Sequence, residues 1–181
     1  MEARPVAGRR YQGASDRHPQ PDVVARVTQV ALDRITNLAG EALEVAAVCA
    51  SLVDADGRLV MSSYGLPVPN ALLVSHAFRP HMVASRRPLV VDDGSRDPLV
   101  ANNPAVRDGT VVACVGMPLR RSDGRAVGTL LAMDQRPRRW SDQHVDLLGR
   151  LGVLIVNQIE VAAAWRRALH GRGGTVSLST R

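Results

Sequence analysis

The sequence predicts an α+β domain, a β-sheet with helices lying across it. Three observations carry that prediction. Apolar positions recur at three- and four-residue steps in two long stretches, one near residue 24 and one after residue 141. Two runs suited to β-strands are each broken by a turn ending in glycine, Asp54–Gly57 and Arg121–Gly124, which are hairpin signals. The resulting order is helix, hairpin, helix, strand, hairpin, helix.

Residues 1–21 are rich in Arg, Gly, Pro and Gln and have almost no periodic apolar positions, so a disordered arm is expected there. A single domain is expected over 22–168, followed by a flexible tail over 169–181. Val24, Val27, Ala31, Ile35 and Leu38 make the stripe of the first helix, which Asp22 can cap and Gly40 can end. Val45–Val53 and Arg58–Ser63 are the strands of the first hairpin. Gly65–Pro69 reads as a loop and Asn70–Ser85 as a helix despite Pro80. Pro88–Asp92 is a short buried strand, and Gly94–Gly109 is a polar connection with one helical turn. Val111–Leu119 and Ala126–Asp134 form the second hairpin. Within it, Pro118 suits an edge or bulged position and Gly128 a crowded one. Arg136–Trp140 links to the last helix, for which Ser141 is a good N-cap and Asp142 suits the first turn. Val145, Leu148, Leu151, Ile155 and Ile159 form its stripe, and the helix can run on to Leu169.

Composition narrows the function classes. The chain has 181 residues, 45% hydrophobic and 22% charged but only 3% aromatic, so the core must be built from Val, Leu, Ile and Ala. No apolar run approaches the ~20 residues of a membrane helix and no export signal is visible, so a cytoplasmic protein without a membrane partner is expected. All 23 basic residues are Arg. The formal charge of +6 sits at the ends, with a surplus of +2 over residues 1–21 and +4 over 161–181, while 22–160 is balanced. Nucleic acid is therefore not an expected partner, because its footprint would be a basic patch on the folded body. Cys49 and Cys114 have no CxxC spacing, so neither a framework disulfide nor a zinc site is expected.

A further pattern runs through the second half of the chain. Pro88-Leu-Val-Val-Asp92 is followed by Asp97, Asn103-Pro104-x-Val106 and Gly116-Met-Pro-Leu119. Then come Asp123-Gly124-x-x-Val127-Gly128-Thr-Leu130, Asp134-x-x-Pro137-Arg138 and Trp140-Ser141. In order and spacing this resembles a GAF domain, the small-molecule sensing module of bacterial signalling proteins, in the variety attached to diguanylate cyclases and histidine kinases. The resemblance runs from about Val24 to Ile159. It implies a central antiparallel sheet with the first and last helices on one face. On the other face, the segment between Tyr64 and Gly109 would roof a ligand pocket. It also implies dimerisation through the last helix, where Val153, Leu154, Val156 and Ala162–Ala164 add apolar surface beyond one stripe.

The pocket residues expected on this basis are Tyr64, Phe78, His81, Asp92, Asp97, Cys114 and Met133. Tyr64 and His81 can donate hydrogen bonds, Asp92 and Asp97 accept them, and Phe78 and Met133 offer apolar contact. Strand-face assignment by alternation is open to a one-residue slip, which would swap Cys114 for Ala113 or Val115. The cysteine that many relatives carry in the roof helix is replaced here by Phe78, so a bilin or redox role is not expected at that point. The cyclic-nucleotide signature of the family is absent, since it needs a Lys. His76 and His81, five apart, sit on different helix faces and do not make a metal pair, and a bland surface role outweighs a haem ligand. The run Asp92–Asp97 reads either as a divalent-cation site or, more economically, as a turn and helix cap. Asp54-x-Asp56-Gly57 starts like a calcium loop but lacks the later ligands. Arg136-Pro-Arg-Arg-Trp140 reads as a linker with Trp140 packed under the last helix. No nucleophile elbow, phosphate loop or cofactor motif is present.

The expected function is accordingly a non-catalytic sensory or regulatory module. It would bind an unidentified small molecule or a protein partner and act as a homodimer on a signalling protein supplied in trans. The alternatives are an enzyme like the free methionine sulfoxide reductases, using Cys49 or Cys114, and a ligand-free structural or interaction protein.

Overall fold

The computed structural model describes residues 23–54 and 57–171. The arm predicted over 1–21, the Asp22 cap and the tail beyond Gly171 lie outside the described residues. The elements are α1 (Val23–Leu43), β1 (Ala47–Val53), β2 (Leu59–Tyr64), α2 (Val68–Ser85), β3 (Leu89–Val91), α3 (Pro104–Arg107), β4 (Ala113–Arg120), β5 (Ala126–Asp134) and α4 (Asp142–Gly171). The five strands form one antiparallel sheet in the order β2-β1-β5-β4-β3. Both expected hairpins form, and Gly57 (φ 78) and Gly124 (φ 80) supply the left-handed backbone of their turns.

Helices α1 and α4 pack together on one face of the sheet. Val48, Leu52, Leu130, Leu32, Leu148 and Ile155 are among the buried side chains of that layer. Helix α2 and the segment around α3 cover the other face, the roof side, where a second apolar layer forms. Covered on both faces, β1 is buried over Ala47–Leu52, where all but Leu52 are small or β-branched residues that fit between two layers. Gly128 lies in β5 where a Cβ would run into Ser51 O and Leu52 Cβ of β1, the crowding foreseen for it. Pro118 stands beyond the end of β3, which pairs only as far as Gly116, and next to a register shift at Leu119/Arg120.

Several expectations need correction. The α1 stripe is rotated from the predicted one. Thr28, Leu32, Thr36, Ala39 and Leu43 face inward, whereas Val27 and Leu38 are exposed. The reason is chemical: the Thr28 hydroxyl donates to Val24 O and Thr36 to Leu32 O, so both threonines can be buried with their polar atoms satisfied. Nor does Gly40 end α1. It lies inside the helix beneath the Tyr64 ring, and the chain breaks only after Leu43, where Glu44 takes a left-handed conformation (φ 51). At the other end, α4 starts with Ser141 and His144 capping each other, Ser141 Oγ accepting His144 N at 3.3 Å and His144 Nδ1 accepting Ser141 N at 3.2 Å. It continues through Gly171, so the predicted domain boundary at 168 falls within a helix. Val156, Ala162 and Ala163 belong to its core face, not to a second one. By length and apolarity α4 would suffice to cross a membrane. Its apolar stripe is instead spent on α1 and β4.

Candidate functional site

The roof layer is packed. Phe78 and Met82 of α2 belong to one buried cluster with Cys49, Cys114, Leu131 and Met133. Gly116 leaves a notch that Met82 Sδ fills. Three of the expected ligand residues, Phe78, Cys114 and Met133, are therefore brought together, but as core. Tyr64 is on the wrong face for the expected pocket. Alternation along β2 sends Ser62 and Tyr64 towards α1, where Ser62 Oγ meets Thr36 Oγ1 at 2.7 Å and the Tyr64 ring covers Gly40. His81 is half-buried on α2. Asp92 is exposed and accepts Trp140 N through Oδ1 at 3.1 Å, while Asp97 Oδ1 accepts Leu99 N at 2.9 Å. With Asp93 accepting both Ser95 N and Ser95 Oγ, the Asp92–Asp97 run serves turns. Among the described residues no group of three His, Cys, Asp or Glu is placed to hold a metal ion. Trp140 packs as foreseen, its indole donating to Val91 O at 3.0 Å.

The two cysteines are free and lie on β1 and β4, with β5 between them. Burial pushes the Cys49 thiol up to about 12. It does the same to Cys114, helped by the nearby Asp97 charge. Such thiols stay protonated near neutrality and make poor nucleophiles.

The open part of the roof side is at the end of the sheet carrying the hairpin turns. A cleft of ≈ 350 Å³ is lined there by Val53, Asp54, Gly57, Arg79, Arg121, Arg125, Ala126 and Val127. A tier of buried hydroxyls stands between it and the apolar layer. Ser51 pairs with Thr129 across β1 and β5, and Thr129 Oγ1 lies 3.4 Å from Ser75 Oγ of α2. One step further along each element, Val53, Val127 and Arg79 reach the cleft. Arg79 and Arg125 make no side-chain hydrogen bond or ion pair among the described residues, and Arg121 Nε is 3.9 Å from Glu160. Arg121 and Arg125 bracket the turn that the Arg121–Gly124 signal predicts, but only the fold brings Arg79 of α2 to them.

A second cleft, between α1, β2 and α4, is lined by Thr28, Gln29, Met61, Ile159 and a group of charges. In it Asp54, its side chain 3% exposed, accepts Arg58 Nε at 3.1 Å and Arg166 Nη1 at 3.0 Å. Outside the clefts, α4 exposes Val153, Leu154, Val161, Trp165 and Leu169, and α1 beside it exposes Val23, Val27 and Val30.

Solved structures share this architecture. The GAF domain of an Acinetobacter phosphoenolpyruvate-protein phosphotransferase superposes with a TM-score of 0.62 at 17% identity, over 78% of this chain and 91% of that one. The blue-light-absorbing form of the Thermosynechococcus elongatus PixJ GAF domain gives 0.58 at 19% identity, over 84% and 98%. A type II free methionine-R-sulfoxide reductase from Thermoplasma acidophilum gives 0.58 at 13%, over 75% and 94%. No curated protein matches the chain significantly. The GAF domain family model matches residues 28–159, from the buried face of α1 to the middle of α4, and the chain belongs to the GAF domain family.

Proposed function

We propose that this GAF domain is a non-catalytic regulatory module that works in the cytoplasm as a homodimer and passes its state to a signalling protein in trans. The observation that carries the reading is the second apolar face of α4. Leu154 (47% exposed) and Val161 (53%) lie away from the core stripe. Leu154, Val161 and Ala168 recur at seven-residue intervals, the spacing of a helix–helix seam, while Leu147 one interval earlier packs against the core. A second copy of α4 laid along that seam would bury it. The protonated, enclosed thiols weigh against chemistry of the sulfoxide-reductase kind, which needs an accessible thiolate.

The packed roof favours a second reading, in which the module recognises a protein and holds no ligand under α2. Native mass spectrometry compared with the denatured mass separates the two. A dimer with added non-covalent mass supports a ligand sensor, and a dimer without it an interaction module. Leu154→Arg should yield a monomer whose melting temperature is lower and no longer depends on protein concentration; a variant that stays dimeric and equally stable would sink the α4 seam.

A further inference from the structure

We propose that the arginine-lined cleft at the hairpin end of the sheet binds the phosphate group of a small phosphorylated molecule. This names a ligand class for the module proposed above and rests on that reading for its significance.

Among the described residues three guanidiniums and one carboxylate, Asp54, line the cleft, a formal net of +2, with Glu160 3.9 Å from Arg121 outside the lining. The carboxylate is engaged elsewhere, by Arg58 and Arg166. Asp123, in the exposed turn between Arg121 and Arg125, accepts Arg125 N at 2.8 Å and does not line the cleft. A phosphate monoester carries about −1.5 to −2 at neutral pH, which complements that lining; a single carboxylate would leave part of it unmatched. Arginine forks suit phosphate oxygens because they donate in pairs.

The surroundings agree. The neighbouring Arg120 donates Nη1 to Gly124 O at 2.9 Å and keeps Nη2 buried with no partner among the described residues. A buried N–H donor without an acceptor is costly, and Arg120, at the end of β4, adjoins the lining residue Arg121 without itself lining the cleft. Gly57 and Gly124, at the tips of the two turns beside the cleft, have open space where a Cβ would stand. The hydroxyl tier of Ser51, Ser75 and Thr129 closes the inner end with polar atoms. The volume, ≈ 350 Å³, suits a small metabolite.

The test is a titration of the full-length, ¹⁵N-labelled protein with inorganic phosphate at constant ionic strength, followed by amide NMR. Saturable shifts confined to residues around Gly57, Arg79 and Gly124 are expected. Arg79→Gln combined with Arg125→Gln should weaken the apparent Kd by about tenfold or more, since each removes a charge-assisted contact. Among the described residues the two side chains have no partners to lose, so the melting temperature without phosphate should be unchanged, and each single variant should show part of the effect. Arg150→Gln, on the exposed face of α4, should leave the Kd alone. Absence of saturable shifts, an unchanged Kd in the double variant, equal weakening by Arg150→Gln, or equal binding of acetate or chloride would each overturn the site. The oligomeric state is measured on the same samples. Phosphate binding by a monomer would remove the dimer and leave the site, whereas a dimer indifferent to phosphate would remove the site alone.

Discussion

Gly40 lies one layer beneath the Tyr64 ring, and its missing Cβ is what lets α1 approach β2. In an isolated helix alanine would be better than glycine by about 1 kcal/mol. Here the added methyl enters the ring, and overpacking of that kind costs about 1–3 kcal/mol. Gly40→Ala should therefore lower stability in urea melts, and Tyr64→Leu should convert the same substitution to neutral or favourable. Equal effects in both backgrounds would separate the two residues. The cysteines make a prediction of a different sort. Thiols that ionise at 9.0 when unperturbed but only near 12 in the fold favour the native state while protonated. Their contribution is complete below pH 9 and is lost as pH climbs from there towards 12, because the unfolded chain then binds fewer protons than the native one. Each thiol adds about 1.4 kcal/mol per pH unit to that slope. Replacing Cys49 and Cys114 together by alanine should flatten the alkaline limb of the stability profile. In the native wild type, both should react with a disulfide reagent only as fast as the fold opens.

At the scale of elements, the join between α1 and the last linker is held by one side chain. Arg138 donates Nη1 to Glu44 O at 2.9 Å and Nη2 to Leu43 O at 2.6 Å, closing carbonyls at the end of α1. It also lies 3.5 Å from Asp134 and stacks 4.8 Å from the centre of the Trp140 ring. Arg138→Met should cost about 1–3 kcal/mol, and Arg138→Lys should recover only part of it, since a single ammonium cannot reproduce the fork. Equal stability of the Lys variant and the wild type would show that charge alone suffices. Arg138 and Trp140 were conspicuous in the sequence pattern, and their use in joining elements explains why much of that pattern concerns folding. Legibility followed locality. Both hairpins could be read because a glycine turn specifies its own backbone, and the α4 stripe because its buried positions are all apolar. The α1 face was misjudged because Thr28 and Thr36 satisfy their hydroxyls within the helix and so bury like apolar residues. Tyr64 was misplaced by strand parity, which one residue reverses. The arginine cleft was invisible, because Arg79 comes from α2 while Arg121 and Arg125 flank the β4–β5 turn, and only sheet closure brings them together.

Across the whole molecule, the C-terminal half of α4 is tied to the sheet by a contact spanning 112 residues of sequence, Arg166 Nη1 on Asp54 Oδ2 at 3.0 Å. Asp54 also accepts Arg58 N at 2.9 Å and so holds the start of the first hairpin turn. It lines both clefts, the one between α1, β2 and α4 and the one lined by arginines. A change at the hairpin end of the sheet thus has a direct mechanical route to the helix that carries the proposed dimer seam. Beyond Ile159 few α4 residues reach the core, chiefly Ala162 and Ala163, so the ion pair is a large share of what fixes this segment. Breaking a buried pair leaves one charge uncompensated and costs about 3–5 kcal/mol. Asp54→Ala should destabilise the protein by that order and should raise amide hydrogen exchange in α4 selectively from Glu160 onward, leaving the first turns near Ser141 protected. Arg166→Met, which removes the other charge and keeps an apolar stem, should loosen the same residues. Its global cost should match if Asp54 is left as exposed to penalty as Arg166 was, and should be smaller if Arg58 alone can hold the carboxylate. Uniform exchange along α4 in both variants would show that the helix moves as one rigid rod, and that Asp54 transmits nothing along it.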